Sequence, residues 1–481
     1  MGNIKKLASQ TAIYGIPTIL GRILNYFLVP LYSYNLLTNQ YGVVNTLYAY
    51  ASFMMILLSY GMETAFFRFS QEEDKRKVVY NTAMLSLITT SLAFLAITFA
   101  FLSPITDLLN SNLENGTFKS QYVLMFLVIL ALDALRAIPY AKLRVEQKAK
   151  RFAFIKSADI FTNIGCNLLF FFVIKPADLI AAIFLSNVIA SFVSFLLLMP
   201  QYMSFRWRFS FSLWKRMMVY GLPVMVGGFA GMINETFDRI ALQHLITVPE
   251  GGSPNYIMQQ IGIYGGCYKL AVVMTLFIQA FKFAAEPFFF SKMKNADAKQ
   301  TYSQVMRVYT IFLCVIFLAV MAYIDVLQYF IDAPYRVGLG IVPILLVANL
   351  FVGVYYNLAV WYKVTDKTIY GAYITAFGAI ITLVLNRILV PYFGYMGAAW
   401  TTLACYFSIM VLCYFAGQKY YPVAYPLKRL SLYFLLALGL YFLMTALPIE
   451  SLILRLIVNT VILLGYIAVV IKFDIYKMIK Q

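Results

Sequence analysis

Two stretches carry charged side chains where hydrocarbon would be expected. Residues 220–287 read as two long apolar helices around a short polar loop, yet they hold Glu235, Asp238, Arg239, Lys269, Lys282 and Glu286. Charge at membrane depth is costly and marks a place where a substrate, an ion or a proton is handled. Arg22 lies inside the first apolar run, after Gly15, Pro17 and Gly21 and before Pro30. Pro and Gly let a membrane helix kink and let its backbone line a cavity. No neighbour on the same helix can neutralise Arg22, so it is a candidate for contact with an anion; the alternative is a carboxylate on another helix. Glu235 precedes Arg239 by four residues, the favourable order for a pair within one helix. Asp238 lies about 100° further round that helix and so points elsewhere. Structural pairing of Glu235 with Arg239 and direct contact of Arg239 with substrate are equally supported by the spacing.

Further along, Asp133 and Arg136 are three apart on one helix, where a structural pair is the leading reading and substrate contact the second. Lys269 and Lys282 are thirteen residues apart, about 20 Å along a helix. Glu286 can pair with Lys282, whereas Lys269 has no such neighbour. Glu63 closes the second apolar run; with Asp133, Glu235, Asp238 and Glu286 it is a candidate for ion coupling or charge pairing. Arg387 and Arg455 sit near helix ends, where snorkelling to the interface accounts for them.

These residues need long apolar elements to carry them. The chain has 481 residues, of which 62% are hydrophobic and 12% charged, about half the charge of a soluble domain. Many apolar runs exceed the ~18 residues that cross a bilayer as a helix. The chain is therefore an all-α polytopic membrane protein, and short alternating barrel strands are excluded. We read fourteen helices: about 11–36, 40–67, 78–102, 120–140, 154–175, 179–203, 218–246, 260–289, 303–325, 338–362, 369–390, 396–417, 430–447 and 452–472. The net charge of +18 reflects Lys and Arg concentrated in alternate loops, with Lys119, Lys175 and Arg336 on the other side. That asymmetry places both termini in the cytoplasm by the positive-inside rule, and it argues for no nucleic acid partner.

The chain also echoes itself. Tyr14-Gly15-x-Pro17 returns as Tyr220-Gly221-x-Pro223, and Tyr41-Gly42 with Glu63 returns as Tyr264-Gly265 with Glu286. Both copies run from inside to outside, so the repeat is parallel. The expected plan is an N-lobe of helices 1–6 (1–203), a cytoplasmic linker (204–217), a C-lobe of helices 7–12 (218–418), and helices 13–14 with a cytoplasmic tail (419–481). The linker stretch FRWRFSFSLWKR (205–216) interleaves aromatic and basic residues and reads as an interfacial segment against anionic lipid. The first helix is expected to be retained, since its apolar run is too long for a signal peptide.

Several chemistries find no support in the sequence. The five cysteines all lie in apolar runs without CxxC spacing and read as small buried hydrophobes. His244, the single histidine, has no metal partners and reads as a helix-end residue. There is no Walker A loop, HExxH or GxSxG, and no external loop is long enough to house a catalytic domain. We expect no enzyme, no metal and no cofactor; work must come from an ion gradient, the membrane potential or downhill supply of substrate.

At GLPVMVGGFAGMINETFDRIAL and GIYGGCYKLAVVMTLFIQAFKFAAEPFFF the chain resembles the polysaccharide flippase family, whose substrates are lipid-linked oligosaccharides such as O-antigen repeat units. That family belongs to the multidrug/oligosaccharidyl-lipid/polysaccharide exporter superfamily. Asp238-Arg239, Gly262-x-Tyr264, Tyr268-Lys269 and Glu286-Pro287 carry the likeness. Residues 21–42 and 386–406 extend it over essentially the whole chain. The resemblance implies two six-helix lobes in a V, as in the MATE branch, around a cation-lined cavity, with two trailing helices. It also implies flipping of undecaprenyl-pyrophosphate-linked oligosaccharide across a bacterial inner membrane, for cell-surface polysaccharide. Arg22, Arg239, Lys269, Arg136 and Lys282 would then meet the pyrophosphate headgroup, since buried cations complement a diphosphate that hydrocarbon rejects. A Na+ or H+ coupling ion stays open. Expected partners are the lipid-linked oligosaccharide, membrane lipids, and polymerase and ligase machinery, with a monomer as the working unit. The competing readings are an ion-coupled multidrug antiporter, which would want an acid-dominated cavity, and a membrane-embedded polymerase or glycosyltransferase, which would want clustered carboxylates.

Overall fold

A computed structural model describes residues 20–71, 76–113, 116–253, 255–293 and 295–475; within these, the side chains of 283, 284, 286, 287, 291, 474 and 475 are not described. Tyr14, Pro17 and the Glu286 side chain therefore fall outside it. Every element among the described residues is helical. Hydrocarbon offers backbone groups no hydrogen-bond partner, so they must be satisfied within the segment that carries them. Twelve described helices are long and apolar enough to cross a membrane. The chain is a multi-pass membrane protein.

Residues 20–26 and α1 (Leu28–Asn35) belong to the first apolar run. They are followed by α2 (Thr38–Ser59), α3 (Met62–Phe69), α4 (Arg76–Ala100), α5 (Leu102–Asn110) and α6 (Ser120–Val145). Next come α7 (Ala149–Leu168), α8 (Leu179–Leu197), α9 (Phe211–Leu245) and α10 (Tyr256–Lys292). The last are α11 (Ala298–Ala322), α12 (Ile341–Leu358), α13 (Ile369–Tyr420), α14 (Leu427–Ala446) and α15 (Leu452–Val470). The chain packs as two compact units, residues 1–265 and 266–481. In the first, α2 packs on α6 and α9, and α8 packs on both α6 and α7. In the second, α12 packs on α13, and α11 packs on α12, α14 and α15.

The structure corrects several expected boundaries. The run 40–67 is two helices, because Tyr60 (φ 32°) and Gly61 (φ 71°) adopt left-handed backbone between α2 and α3. The loop after residue 102 is helical as α5. The spans 369–390 and 396–417 join as one 52-residue segment, broken by the non-helical Gly394 (φ 52°, ψ −133°). Only glycine takes such backbone without strain, and a straight helix of that length would run to about 78 Å, far beyond a bilayer. The stretch 205–216 is not wholly interfacial. Trp207, Phe209 and Phe211 are exposed, but the helix begins at Phe211, so Leu213 and Met217 turn into the core. The Trp214 indole N–H donates to Ser86 Oγ at 2.9 Å. Interleaved aromatic and basic residues read as an interfacial segment, but helical spacing sends every third or fourth side chain inward.

At one end of α8, Asp178 caps the helix by accepting from the Ala181 backbone N–H at 3.1 Å. It also accepts from Tyr122 Oη (2.6 Å) and Lys119 Nζ (2.7 Å). Partial burial pushes its carboxyl up, but these donors outweigh that and hold it below the usual carboxylate range.

Glycines set the closest helix crossing in the first unit. A Cβ on Gly42 would lie 2.0 Å from the Met258 carbonyl oxygen, and one on Gly262 would lie 1.8 Å from that of Thr38. The contact is reciprocal: 38 meets 262 and 42 meets 258, while a Cβ on Gly265 would meet Asn45 Nδ2 at 2.6 Å. Two equivalent helices meeting on a local dyad produce this pattern at an offset of 220 (258 − 38, 262 − 42, 265 − 45). That is three residues short of the 223 that aligns Tyr41 with Tyr264. Small residues let membrane helices approach this closely. The added methyl in Gly42→Ala or Gly262→Ala meets backbone that cannot step aside. Each is expected to cost about 1–3 kcal/mol, read as a fall in the unfolding temperature of purified protein. Gly165→Ala, with nothing within 4 Å of its Cβ, is expected to change stability by less than about 0.5 kcal/mol.

Candidate functional site

The most deeply buried cation described in the first unit is Arg136, 6% exposed near the middle of α6. Its Nη1 donates to Asp159 Oδ1 of α7 at 2.9 Å, and its Nη2 donates to Asp133 Oδ1 one turn earlier. Ser191 of α8 accepts from Nη2 at 3.2 Å and donates to the same Asp133 oxygen at 2.9 Å. Arg136 Nε is buried without a hydrogen-bond partner among the described residues. Three helices thus converge on one guanidinium with two carboxylates, leaving a net charge of −1. The spacing of Asp133 and Arg136 announced their pair. Asp159, Ser191 and the cavity beside them were missed. Asp159 stands alone in an apolar run, and that isolation was the signal that could have found it.

That cavity has a volume of about 350 Å³. Asn25, Tyr48 and Ser52 line it from the first run and α2; Asp133 and Arg136 from α6; Asp159 and Asn163 from α7; Asn187 and Ser191 from α8. All of these residues belong to the first unit.

A second charged group lies on α9. Arg239 and Asp238 are both buried, and Arg239 Nη1 donates to Asp238 Oδ1 at 2.9 Å. Tyr264 donates its hydroxyl to Asp238 Oδ2 and lies under the guanidinium, 5.7 Å from its ring centroid. Of the two readings left open for Arg239, the pairing with Glu235 is not what forms. Glu235 is exposed, and Arg239 contacts its backbone carbonyl at 3.4 Å. The expectation that Asp238 points elsewhere is corrected, because a long guanidinium can fold back on its neighbour where helix phase alone forbids nothing.

The remaining candidates are spread out. Arg22 is exposed on the first run beside Gly21, whose Cβ would press on Ile160, and it makes no hydrogen bond or ion pair among the described residues. Glu63 pairs with Arg144 at 3.2 Å, both about half-exposed. Lys269 and Lys282 belong to the second unit. Lys269 is not an isolated charge, contrary to what the lack of an acidic neighbour on its own helix suggested. Lys282 Nζ lies 4.6 Å from the Tyr356 ring centroid; its expected partner Glu286 is outside the described side chains. Arg455 pairs with Asp325 at 3.3 Å where snorkelling was expected, and Arg387 is exposed. His244 ends α9 and meets Tyr50 Oη at 2.8 Å. Among the described residues no three His, Cys, Asp or Glu side chains gather as a metal site.

Fold and site define a multi-pass helical membrane protein with compensated charge inside its bundles. The chain belongs to the polysaccharide biosynthesis protein family, whose profile matches residues 7–293. No curated protein matches in sequence. Among solved structures, it is similar to the lipid II flippase MurJ in an inward closed conformation, at 13% identity and a TM-score of 0.75 over 95% of this chain and 98% of that one. It is also similar to a multidrug resistance MATE family transporter of the MOP superfamily. The inward-facing form aligns at 12% identity and a TM-score of 0.64, over 88% of this chain and 95% of that one. The outward-facing form aligns at 12% and 0.55, over 88% and 96%. At these identities the likeness is one of fold.

Arg136→Met leaves two carboxylates facing each other in the bundle. The loss is expected to be about 3–5 kcal/mol, measured as a fall in unfolding temperature. Adding Asp133→Asn and Asp159→Asn to that variant is expected to restore most of it. A triple variant no better than Arg136→Met would contradict the charge account.

Proposed function

We propose that the protein flips undecaprenyl-pyrophosphate-linked oligosaccharide from the cytoplasmic to the periplasmic leaflet of a bacterial inner membrane by alternating access. It would supply repeat units such as those of O-antigen for cell-surface polysaccharide, and it would not be an enzyme. Membership of the polysaccharide biosynthesis family and the shared fold with a lipid II flippase support this reading. The observation that carries it is Arg22. A cation on a membrane helix, exposed and without a carboxylate among the described residues, is costly unless an anion visits it. A lipid diphosphate supplies that anion while its tail stays in hydrocarbon.

Arg239, Lys269 and Lys282 would serve the same headgroup. Arg239 takes second place, because Asp238 already offsets its charge. Arg136 is poorly placed for a diphosphate, since both of its terminal nitrogens are engaged and a phosphate wants the open fork. A Na+ or H+ coupling ion, monomeric action, and neighbouring polymerase and ligase machinery remain part of the proposal. The multidrug antiporter alternative is weaker, because the densest acidic pair, Asp133 and Asp159, is already occupied by a guanidinium.

Depleting the protein is expected to make the lipid-linked oligosaccharide accumulate on the cytoplasmic leaflet, as read by protease-free leaflet-selective labelling of the glycan. Arg22→Ala at normal protein level should reproduce that build-up, and Arg22→Lys should relieve only part of it, since lysine keeps the positive charge but loses the planar fork. Normal export with Arg22→Ala would sink the role of Arg22.

A further inference from the structure

We propose that the cavity beside Asp133, Arg136 and Asp159 is a subsite for a neutral, polyhydroxylated ring: a sugar of the translocated headgroup, held inside the first unit. The inference rests on the lipid-linked saccharide reading and deepens it by saying where the saccharide is bound.

The cavity's charge and geometry select its ligand class. An anion is disfavoured, because the cluster carries a net charge of −1 and the two N–H groups Arg136 has left, one on Nε and one on Nη1, do not share an edge of the guanidinium. With both Nη2 hydrogens used, neither edge can grip a phosphate in the bidentate way that makes arginine selective for it. A metal cation is disfavoured as well. Hard cations want about six oxygen ligands drawn closely together. Here the two carboxylates are held apart on either side of a guanidinium, whose own positive charge occupies the centre. The volume of about 350 Å³ is roughly ten times a water's share of the liquid and lies within the range of small-molecule sites, about 300–1,000 Å³.

What remains uncommitted suits hydroxyl groups. Among the described residues, Oδ2 of Asp133 and Oδ2 of Asp159 accept no hydrogen bond, while their Oδ1 atoms are used. Asn163 Nδ2 is buried without a partner, as is Arg136 Nε. The Tyr48 hydroxyl accepts from Asn187 Nδ2 at 2.7 Å, which leaves its own proton to donate. Acceptors and donors therefore line one space together. A sugar hydroxyl both donates and accepts, so a vicinal pair can use both kinds of lining group at once. The Tyr48 and Phe126 rings, edge to face with centroids 6.0 Å apart, give the apolar wall against which the C–H face of a sugar ring can lie. The cavity is formed near the middle of three membrane helices, the depth at which a crossing headgroup has lost its water. Side chains there can replace the hydration shell hydroxyl by hydroxyl.

The test uses the full-length protein in lipid nanodiscs. The first probe is the oligosaccharide mixture released by mild acid from the source cell's own surface polysaccharide, observed by saturation-transfer NMR. The wild type is expected to give transfer to sugar protons. Asn163→Ala and Tyr48→Phe, each checked for unchanged unfolding temperature, should weaken binding roughly five- to tenfold. Replacing sodium with choline should change nothing. The second probe is farnesyl pyrophosphate, which carries the diphosphate and no sugar; its binding should be unchanged in both variants and weakened by Arg22→Ala. Absence of transfer in the wild type, or transfer unaltered in both variants, would overturn the sugar subsite. Transfer that requires sodium and is lost together with sodium binding in Asn163→Ala would overturn it in favour of a cation site. Failure of farnesyl pyrophosphate to bind, with sugar transfer intact, would instead sink the diphosphate reading and leave the sugar subsite standing.

Discussion

A buried guanidinium in hydrocarbon must be matched, and the first unit is built around that requirement. Arg136 is held by carboxylates on its own helix and on α7, with a serine of α8 bridging. Removing any one partner leaves another buried and unsatisfied, so the three helices are bound to one relative placement. The rule recurs at Arg239, which Asp238 and Tyr264 accompany. Outside the apolar spans it relaxes: Lys119 and Asp178 meet where water shares the load, and their contact does the milder work of capping a helix. Arg22 departs from the rule, being exposed on a membrane helix with no ion pair among the described residues.

Close approach of backbones is the second requirement. The crossing at Gly42 and Gly262 leaves no room for a methyl group, and a similar contact brings Gly61 against Gly221, where a Cβ on Gly61 would lie 2.2 Å from the Gly221 carbonyl oxygen. With large side chains removed at these points, α2, α3, α9 and the start of α10 pack by van der Waals contact. The space not filled lies instead among α2, α6, α7 and α8, where polar side chains keep it open. Packing and polarity thus divide the unit into a tight seam and a polar pocket.

Much of this was legible in the sequence. Apolar runs gave the helices and the multi-pass class, and the i, i+3 spacing gave Asp133 with Arg136. The tyrosine–glycine pairs were read as a repeat; that Gly42 and Gly262 mark a close crossing, in a contact register of 220 rather than 223, was visible only in the structure. What was not legible depends on which helix faces which. Asp159 is 23 residues from Arg136, and no periodicity ties them. Asp238 was placed by helix phase on another face from its actual partner, because phase locates Cβ and says nothing of where a long side chain ends. Trp214 looked interfacial in a basic aromatic stretch until the helix start at Phe211 fixed its direction. The role of the cavity required coordinates, since its lining comes from five separate runs.

The central claim is that this chain moves a lipid-linked saccharide diphosphate between leaflets. Its most direct test is reconstitution of the purified protein in liposomes with a defined undecaprenyl-pyrophosphate-linked oligosaccharide. Exposure of the glycan on the outer leaflet is then followed with a membrane-impermeant glycosidase. The account predicts that the protected half of the glycolipid becomes accessible in proportion to the protein added. Accessibility that stays at the level of protein-free liposomes, under an imposed sodium or proton gradient as well as without one, would contradict it.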